Sequence, residues 1–252
     1  MKNKKNKKTN KAVIIFILLI LIIIGSGFII IKTDIFYIKE IIVENNYELD
    51  DGYIIKKSSI TENDNIFLIN LENIKRNLES EIYIKEVEIK RKLPDILKIN
   101  VIERTGRINY SFNDTHYLLD FDGIVLKEIN KDEELFLIKS DIEINRKLGE
   151  KIHLDKSNIK FEKILNLSKY IYENNEILNC HILMKKNNFY CIIENNTYIK
   201  LDIEESLEYQ YEFGLDIIER RKNKGETVEG VIDFTKGENP IYVDFKDLEE
   251  NI

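Results

Sequence analysis

The chain has 252 residues and is acidic, with 45 Asp and Glu against 38 Lys and Arg and a formal net charge of −7. Hydrophobic residues make up 43% of it, which is enough for a sizeable core and argues against a disordered chain. Acidic surfaces are repelled by phosphate backbones and by anionic lipid, so nucleic-acid binding and attachment to an acidic membrane surface are disfavoured.

Residues 12–31 form one apolar segment, AVIIFILLILIIIGSGFIII. About 20 apolar residues in a helix cross a hydrocarbon core roughly 30 Å thick, so a transmembrane helix is predicted at 12–32. Lysine-rich flanks stay in the cytoplasm. The charged side chains before the segment are Lys2, Lys4, Lys5, Lys7, Lys8 and Lys11. We therefore expect a basic cytoplasmic tail at 1–11 and a single-pass type II protein whose mass lies outside the cytoplasm.

A cleaved signal peptide is the alternative interpretation, because Gly25, Ser26 and Gly27 are small residues of the kind found at cleavage sites. The apolar run resumes at Phe28–Ile31, however, and is longer than the usual core of a signal peptide. An uncleaved anchor is favoured, in which Gly25 and Gly27 are candidate packing positions against other membrane helices.

The residues after the span predict a small domain at 35–104 with the order strand, helix, helix, strand, strand. Asp50 or Asp51 and Asn70 are suited to cap the two helices, and Leu93-Pro94-Asp95 suits the turn between the last two strands. Two helices would cover one face of the sheet. The predicted elements are strand Phe36–Val43, a helix to Lys57, helix Leu71–Ser80, and strands Ile84–Lys92 and Ile96–Arg104.

The second half, 105–246, predicts a mixed β-sheet domain with two or more helices, followed by a frayed tail at 247–252. Asp122-Gly123 is a strong hairpin signal, and Ser157 is a candidate helix cap. The whole chain is therefore expected to be of the α+β class. The predicted helices are Ser157–Glu173 and Glu204–Arg221; the predicted strands are Arg107–Phe112, Thr115–Asp120, Ile124–Ile129, Leu135–Ile138, Ile177–Lys185, Asn188–Ile193, Thr197–Leu201, Val228–Phe234 and Ile241–Phe245.

No pattern of residues indicates catalysis. His116, His153 and His181 are scattered, with no second ligand or base at helical spacing, and no glycine-rich phosphate loop or GxSxG motif occurs. We expect no cofactor, no metal and no small-molecule substrate. Cys180 and Cys191 flank a predicted turn; a disulfide is possible, but a diagonal or opposite-face placement favours two buried free thiols.

Several motifs, in this order, are similar to those of one family. They are Val43-Glu44-Asn45-Asn46, Asn65-Ile66-Phe67, Tyr83-Ile84-Lys85 through Leu93-Pro94 to Glu103-Arg104, Tyr117 to Gly123, and Ile232-Asp233-Phe234. Together with the basic tail and the single span, they resemble the FtsQ/DivIB family of bacterial cell-division proteins. The sequence departs from the family pattern at Asn45, where glycine is common, at Thr105-Gly106, where proline is frequent, and at Leu201-Asp202, where Leu-Gly is usual.

The resemblance implies a POTRA domain followed by a β domain, and a protein without enzymatic activity. It implies a scaffold at the division septum that binds FtsL-like and FtsB/DivIC-like partners and thereby supports the septal peptidoglycan synthase. Two alternatives stay open: a membrane-anchored cell-wall enzyme, and a POTRA-bearing assembly protein of another envelope complex, such as a sporulation machine.

The last predicted strand is the candidate partner-binding edge, because the unpaired backbone groups of an edge strand can accept a strand from another chain. The resemblance implies the same region. Tyr242 and Phe245 could equally be ordinary core or half-exposed strand residues. The candidate partner-binding residues are Phe234, Ile241, Tyr242, Val243 and Phe245, with Arg220 and Arg221 at the end of the preceding helix.

Overall fold

The computed structural model describes residues 6–130, 135–142, 147–152, 158–174, 180–186, 188–193, 196–237 and 239–245. The predictions for His153, Ser157, the start of the strand at Ile177, and the tail at 247–252 lie outside these residues. The chain divides into two compact units, Met1–Arg104 and Thr105–Ile252. Both units combine helices with a β-sheet, which confirms the predicted α+β class.

The first unit contains the apolar helix and a small α+β domain. Its elements are α1 Asn6–Lys32, a 3-10 turn Asp34–Phe36, β1 Glu40–Glu44, α2 Asp51–Ser58, α3 Leu71–Glu79, β2 Ile84–Lys92 and β3 Ile96–Glu103. Within α1, the stretch Lys11–Lys32 is long and apolar enough to cross a membrane, and none of it is buried inside the protein.

The sheet of the first unit has the order β1-β3-β2, with β1 parallel and β2 antiparallel to β3. Helices α2 and α3 begin where their caps were predicted: an Asp50 carboxylate oxygen accepts from the Gly52 N–H, and the Asn70 side chain accepts from the Asn73 N–H. The helices and the sheet share one core. Its fully or almost fully buried members include Ile54, Ile74, Leu78, Leu97, Ile99 and Val101.

The first strand starts later than predicted. Phe36 belongs to the 3-10 turn, and β1 begins at Glu40. The intervening residues pair with a loop instead: the Ile38 N–H donates to the Asp64 carbonyl at 3.0 Å and the Ile66 N–H to the Phe36 carbonyl at 2.8 Å. Pairing between segments distant in sequence replaced the strand that β-propensity alone predicted.

The second unit is built on a mixed nine-stranded sheet with the order β12-β11-β10-β9-β8-β7-β4-β5-β6. Parallel pairs join β4 to β7, β7 to β8 and β10 to β11. The elements are β4 Ile108–Phe112, β5 Thr115–Leu119, β6 Val125–Ile129, β7 Phe136–Ser140, α4 Asn158–Glu173, β8 Cys180–Lys185, β9 Asn188–Ile193, β10 Thr197–Leu201, α5 Leu207–Asn223, β11 Gly230–Asp233 and β12 Ile241–Asp244.

Helices α4 and α5 pack with the sheet in a single hydrophobic core. The α4 residues Phe161, Ile164 and Leu165 are buried there, as are Tyr211 and Ile218 of α5. Helix α5 starts three residues later than predicted, because Ser206 is its cap and accepts from the Tyr209 N–H. An oxygen at the cap position satisfies a helix N–H that would otherwise have no partner.

Cys180 and Cys191 are buried free thiols on neighbouring strands. In the β8–β9 register Cys180 lies opposite Ile193 and Cys191 opposite Ile182, so the two cysteines are diagonal neighbours on one face. A hydrogen bond with Cys180 and complete burial raise the pKa of the Cys191 thiol well above its usual range.

We therefore expect the native protein to resist alkylation by maleimide at neutral pH, because the thiolate is the reactive species and both cysteines are buried. Mass spectrometry should show both cysteines labelled only after denaturation. Rapid labelling of the folded chain would contradict the burial of the free thiols. A denatured chain that accepts no label and whose mass is lower by two hydrogens would show a disulfide instead.

Candidate partner-binding edge

β12 is the last strand of the nine-stranded sheet, and β11 is its one neighbour among the described strands. The two are antiparallel, with Val231 opposite Val243 and Ile232 opposite Tyr242. One long side of β12 is therefore a sheet edge, as the sequence predicted for the strand near the C-terminus.

The hydrogen bonds of β11 decide which groups of β12 face outward. The Phe234 N–H donates to the Lys200 carbonyl of β10, and the Gly230 N–H donates to the carbonyl of Asn196, the residue just before β10. Successive residues of a strand point their backbone groups to opposite sides. The N–H and C=O of Val231 therefore face β12, where Val231 lies opposite Val243 and forms a hydrogen-bonded pair with it. The N–H and C=O of Tyr242 therefore point away from β11, toward the open edge.

The opposite edge of the sheet, β6, is covered where it begins. The Val125 N–H donates to the Glu150 carbonyl at 3.1 Å, and the Val125 carbonyl accepts from the Gly149 N–H at 2.8 Å. A bridge between Ile124 and Lys151 continues this cover. Proteins usually protect their sheet edges in this way, and β12 has no comparable cover among the described residues.

Tyr242 is fixed to the end of α5. The guanidinium carbon of Arg221 lies 3.6 Å from the centroid of the Tyr242 ring, a close cation–π contact. The Tyr242 hydroxyl donates to the Glu229 carbonyl at 2.9 Å, and the Arg221 Nε donates to the Thr227 carbonyl at 2.8 Å. Partial burial raises the pKa of the Tyr242 hydroxyl, although the positive charge of Arg221 acts in the opposite direction.

Gly230 makes this close approach possible. A Cβ atom at this position would lie 2.3 Å from the Val243 carbonyl oxygen and 2.9 Å from the Tyr242 hydroxyl oxygen. A side chain there would force β12 outward, so the glycine sets the distance at which the tyrosine ring can lie across β11.

The same chain has clear relatives among known proteins. Residues 36–104 match the family model described as "POTRA domain, FtsQ-type". A cell division protein DivIB from Clostridium tetani is 29% identical over 217 residues, covering 84% of this chain and 81% of the relative. A DivIB from Clostridium acetobutylicum is 33% identical over 129 residues (50% and 52%), and a cell division protein FtsQ from Rickettsia bellii is 32% identical over 101 residues (40% and 37%).

Residues 36–104 are thus an FtsQ-type POTRA domain, and the chain is similar to a DivIB protein over most of its length. The POTRA match and the DivIB relative over most of the chain confirm the resemblance seen in its motifs. The order of elements in this POTRA domain, one strand, two helices and two strands, is the one that the sequence predicted, and the structure adds the sheet order β1-β3-β2.

The remaining predicted site residues lie in different environments. Ile241 is exposed and Val243 is half-buried on β12. Arg220 is exposed and paired with Asp216 one helical turn earlier, at 2.7 Å. Phe234 and Phe245 make edge-to-face contacts, with Phe213 at 6.1 Å and with Tyr198 at 5.4 Å between ring centroids. The two arginines therefore differ: Arg221 supports the strand, and Arg220 faces solvent.

A cleft near the start of β12 was not predicted from the sequence. It has a volume of about 570 Å³ and lies beside the first turns of α5. Tyr209, 64% exposed, stands at its wall and stacks on Phe213. The one local signal was this pair of aromatics four residues apart on a helix. The lining residues are Asp202, Glu205, Ser206, Tyr209, Gln210, Phe234 and Gly237.

The described histidines do not form a reactive group. The His116 ring is buried and bonded to the Asn109 side chain at 2.8 Å. Burial, with Lys139 nearby, lowers the pKa of His181. No group of three His, Cys, Asp or Glu suited to a metal ion occurs in the described part of the chain.

Gly25 and Gly27 lie on α1 with no atom within 4 Å of a Cβ that either would carry. The helix surface at both positions is open, as a close approach by another membrane helix requires. Their role in helix packing stays a prediction.

The contrast between the two arginines gives a direct test. We expect Arg221→Ala to increase hydrogen exchange of the β12 amides about 5- to 30-fold, because losing the stacked guanidinium destabilises local closure by about 1–2 kcal/mol. Arg220→Ala is the matched control, since an exposed i,i+4 pair contributes little. Equal exchange in the two variants, measured by mass spectrometry, would contradict the bracing role of Arg221.

Proposed function

We propose that this chain is a non-enzymatic scaffold of the bacterial division machinery that captures FtsL-like and FtsB/DivIC-like single-span partners by strand addition at β12. The observation that supports this proposal is the open edge of β12, where the backbone N–H and C=O of Tyr242 point outward. An added strand would complete these groups with hydrogen bonds, and neighbouring side chains such as Ile241 would supply specificity.

The membrane helix α1 determines where in the cell the β12 edge lies. With the lysine-rich tail in the cytoplasm, α1 holds both folded units outside the membrane at the division septum. Partners that also cross the membrane once are then confined to the same surface, which raises their effective concentration near the edge. Through them the scaffold orders the septal peptidoglycan synthase.

A fluorescent fusion combined with depletion tests the cellular role. We expect the fusion to concentrate at division sites, and depletion to block septation. Tagged full-length protein should co-purify single-span partners from membranes of dividing cells. Diffuse peripheral signal with normal septa would contradict the proposal. Release of fragments from peptidoglycan by the purified protein would instead favour the alternative of a cell-wall enzyme.

A further inference from the structure

The POTRA domain carries an apolar loop next to the membrane helix. In this loop, residues 65–69, Leu68 is 62% exposed and Phe67 is 39% exposed. Ile35 of the 3-10 turn is also exposed, and Phe36 of the same turn stacks edge-to-face on Phe67 with 5.2 Å between ring centroids. The sequence of the loop, Asn-Ile-Phe-Leu-Ile, contains no charge.

The loop is rigidly held in this exposed position. The Asn65 side-chain oxygen accepts from the Phe67 N–H at 2.9 Å, and the Asn65 carbonyl accepts from the Leu68 N–H at 2.9 Å. On the other side, the Arg91 guanidinium donates to the Ile66 carbonyl at 2.6 Å and to the Ile69 carbonyl at 3.0 Å. Two side chains thus fix the backbone while the apolar tip faces outward.

A direct hydrogen bond sets the level of the loop relative to the membrane. The Asn65 Nδ2 donates to the Ile30 carbonyl at 2.7 Å, and Ile30 belongs to the last turn of α1. Since 20 helical residues span about 30 Å, residues 12–31 fill the hydrocarbon core and Ile30 lies at its outer boundary. Asn65 therefore sits at the membrane interface, and the tip is two to three residues away.

We propose that Phe67 and Leu68 insert into the interfacial layer of the outer leaflet and hold the POTRA domain in one orientation on the membrane. This inference rests on the proposed membrane insertion of α1 and goes beyond partner capture. An exposed apolar tip with an aromatic residue matches the boundary between headgroups and acyl chains. Continuity with α1 identifies lipid as the occupant, because an apolar surface at this level beside a membrane helix meets lipid directly.

The loop needs no anionic lipid. Its nearest acidic neighbour in sequence is Asp64, whose carboxylate accepts from the Thr61 N–H at 2.7 Å. No lysine or arginine lies among residues 59–69, and the Arg91 guanidinium beside the loop is bonded to the Ile66 and Ile69 carbonyls. Penetration is expected to depend on the apolar side chains alone, and therefore to occur in vesicles of pure phosphatidylcholine.

The absence of tryptophan from the natural sequence allows a specific test. The full chain carrying Leu68→Trp is reconstituted into phosphatidylcholine vesicles, with or without bromine on the acyl chains, and tryptophan is excited selectively. We expect bromolipid to remove roughly half of the emission, because a side chain at 5–10 Å depth meets the brominated segment. Tyr47→Trp is the matched control, since Tyr47 is 87% exposed and lies beyond the opposite end of β1.

Ile35→Trp serves as a second probe if Leu68→Trp disturbs folding, which circular dichroism reports. An inserted, folded chain whose probes are no more quenched than Tyr47→Trp would overturn the loop proposal while leaving the anchor intact. If quenching occurs without a partner helix and disappears when one is co-reconstituted, lipid contact is still supported. If the probe is shielded from water only after that partner is added, the loop binds protein instead. Extraction of the chain by alkaline carbonate would overturn the anchor itself.

Discussion

Tyr242→Pro is expected to abolish capture of the single-span partners, and Tyr242→Ala to retain most of it. The Tyr242 N–H points outward from β12, so proline removes a donor that an added strand would use and places its ring where that strand would lie. Both variants lose the contacts of the Tyr242 side chain with Arg221 and Glu229, but the alanine variant keeps the backbone N–H donor. The comparison therefore isolates the backbone group from the side chain.

The size of the effect follows from the hydrogen bond. Leaving a partner's buried acceptor unsatisfied costs about 1–3 kcal/mol, and the clash of the ring adds to it, so affinity should fall at least roughly tenfold from the alanine to the proline variant. Co-purification followed by titration of the partner's extracytoplasmic segment measures this. Val243→Pro is a different change, because Val243 faces β11 and proline there would break the ladder itself.

Equal capture by the proline and alanine variants, with β12 still protected from hydrogen exchange, would rule out strand addition at this edge. The partners would then have to use a side-chain surface, for which the cleft beside α5 is a nearby candidate. Loss of capture in both variants would place the recognition in the Tyr242 side chain.

Glu103→Ala is expected to destabilise the POTRA domain. The Glu103 carboxylate accepts three backbone N–H groups, from Tyr47 at 3.1 Å and from Glu48 and Leu49, both at 2.9 Å. Charge-assisted bonds of this kind are stronger than neutral ones, and the variant would leave all three donors to solvent. We expect a loss of about 2–3 kcal/mol.

Urea unfolding of the detergent-solubilised chain, with hydrogen exchange at residues 45–50, measures this loss. Glu103→Gln should lie between the wild type and alanine, since an amide keeps one acceptor oxygen but no charge. Glu86→Ala, at an exposed position of β2, is the surface control and should stay within about 0.5 kcal/mol of the wild type. If Glu103→Ala behaves like Glu86→Ala, the three bonds contribute nothing measurable.

Local chemistry explains what could be predicted from the sequence. The POTRA helices start at Asp50 and Asn70 because a capping oxygen acts within three residues of its own position. Asn45 replaces a common glycine and adopts the left-handed conformation, with φ of 62°, which asparagine tolerates. Strand β2 has its predicted bounds because alternation of apolar and charged residues is also a short-range pattern.

Tertiary structure decided the features that join distant segments. The bond from Asn65 to Ile30 spans 35 residues, and Glu103 reaches the loop at Tyr47 across 56 residues. Neither partner can be inferred from spacing, because chain entropy and packing of the whole domain select it. The Glu-Arg motif was visible as a family signature, but its carboxylate appeared as a loop clamp only in the folded domain.

The sequence by itself determined the apolar helix long enough to span a membrane, the α+β class and the presence of a strand at Ile241, since each depends on hydrophobicity and propensity over a short window. Only the tertiary structure decided that β11 is the described neighbour of this strand in a nine-stranded sheet and that Tyr242 directs its backbone outward. The physical reason is that strand order depends on long-range pairing among all the strands, whereas strand formation depends on neighbouring residues.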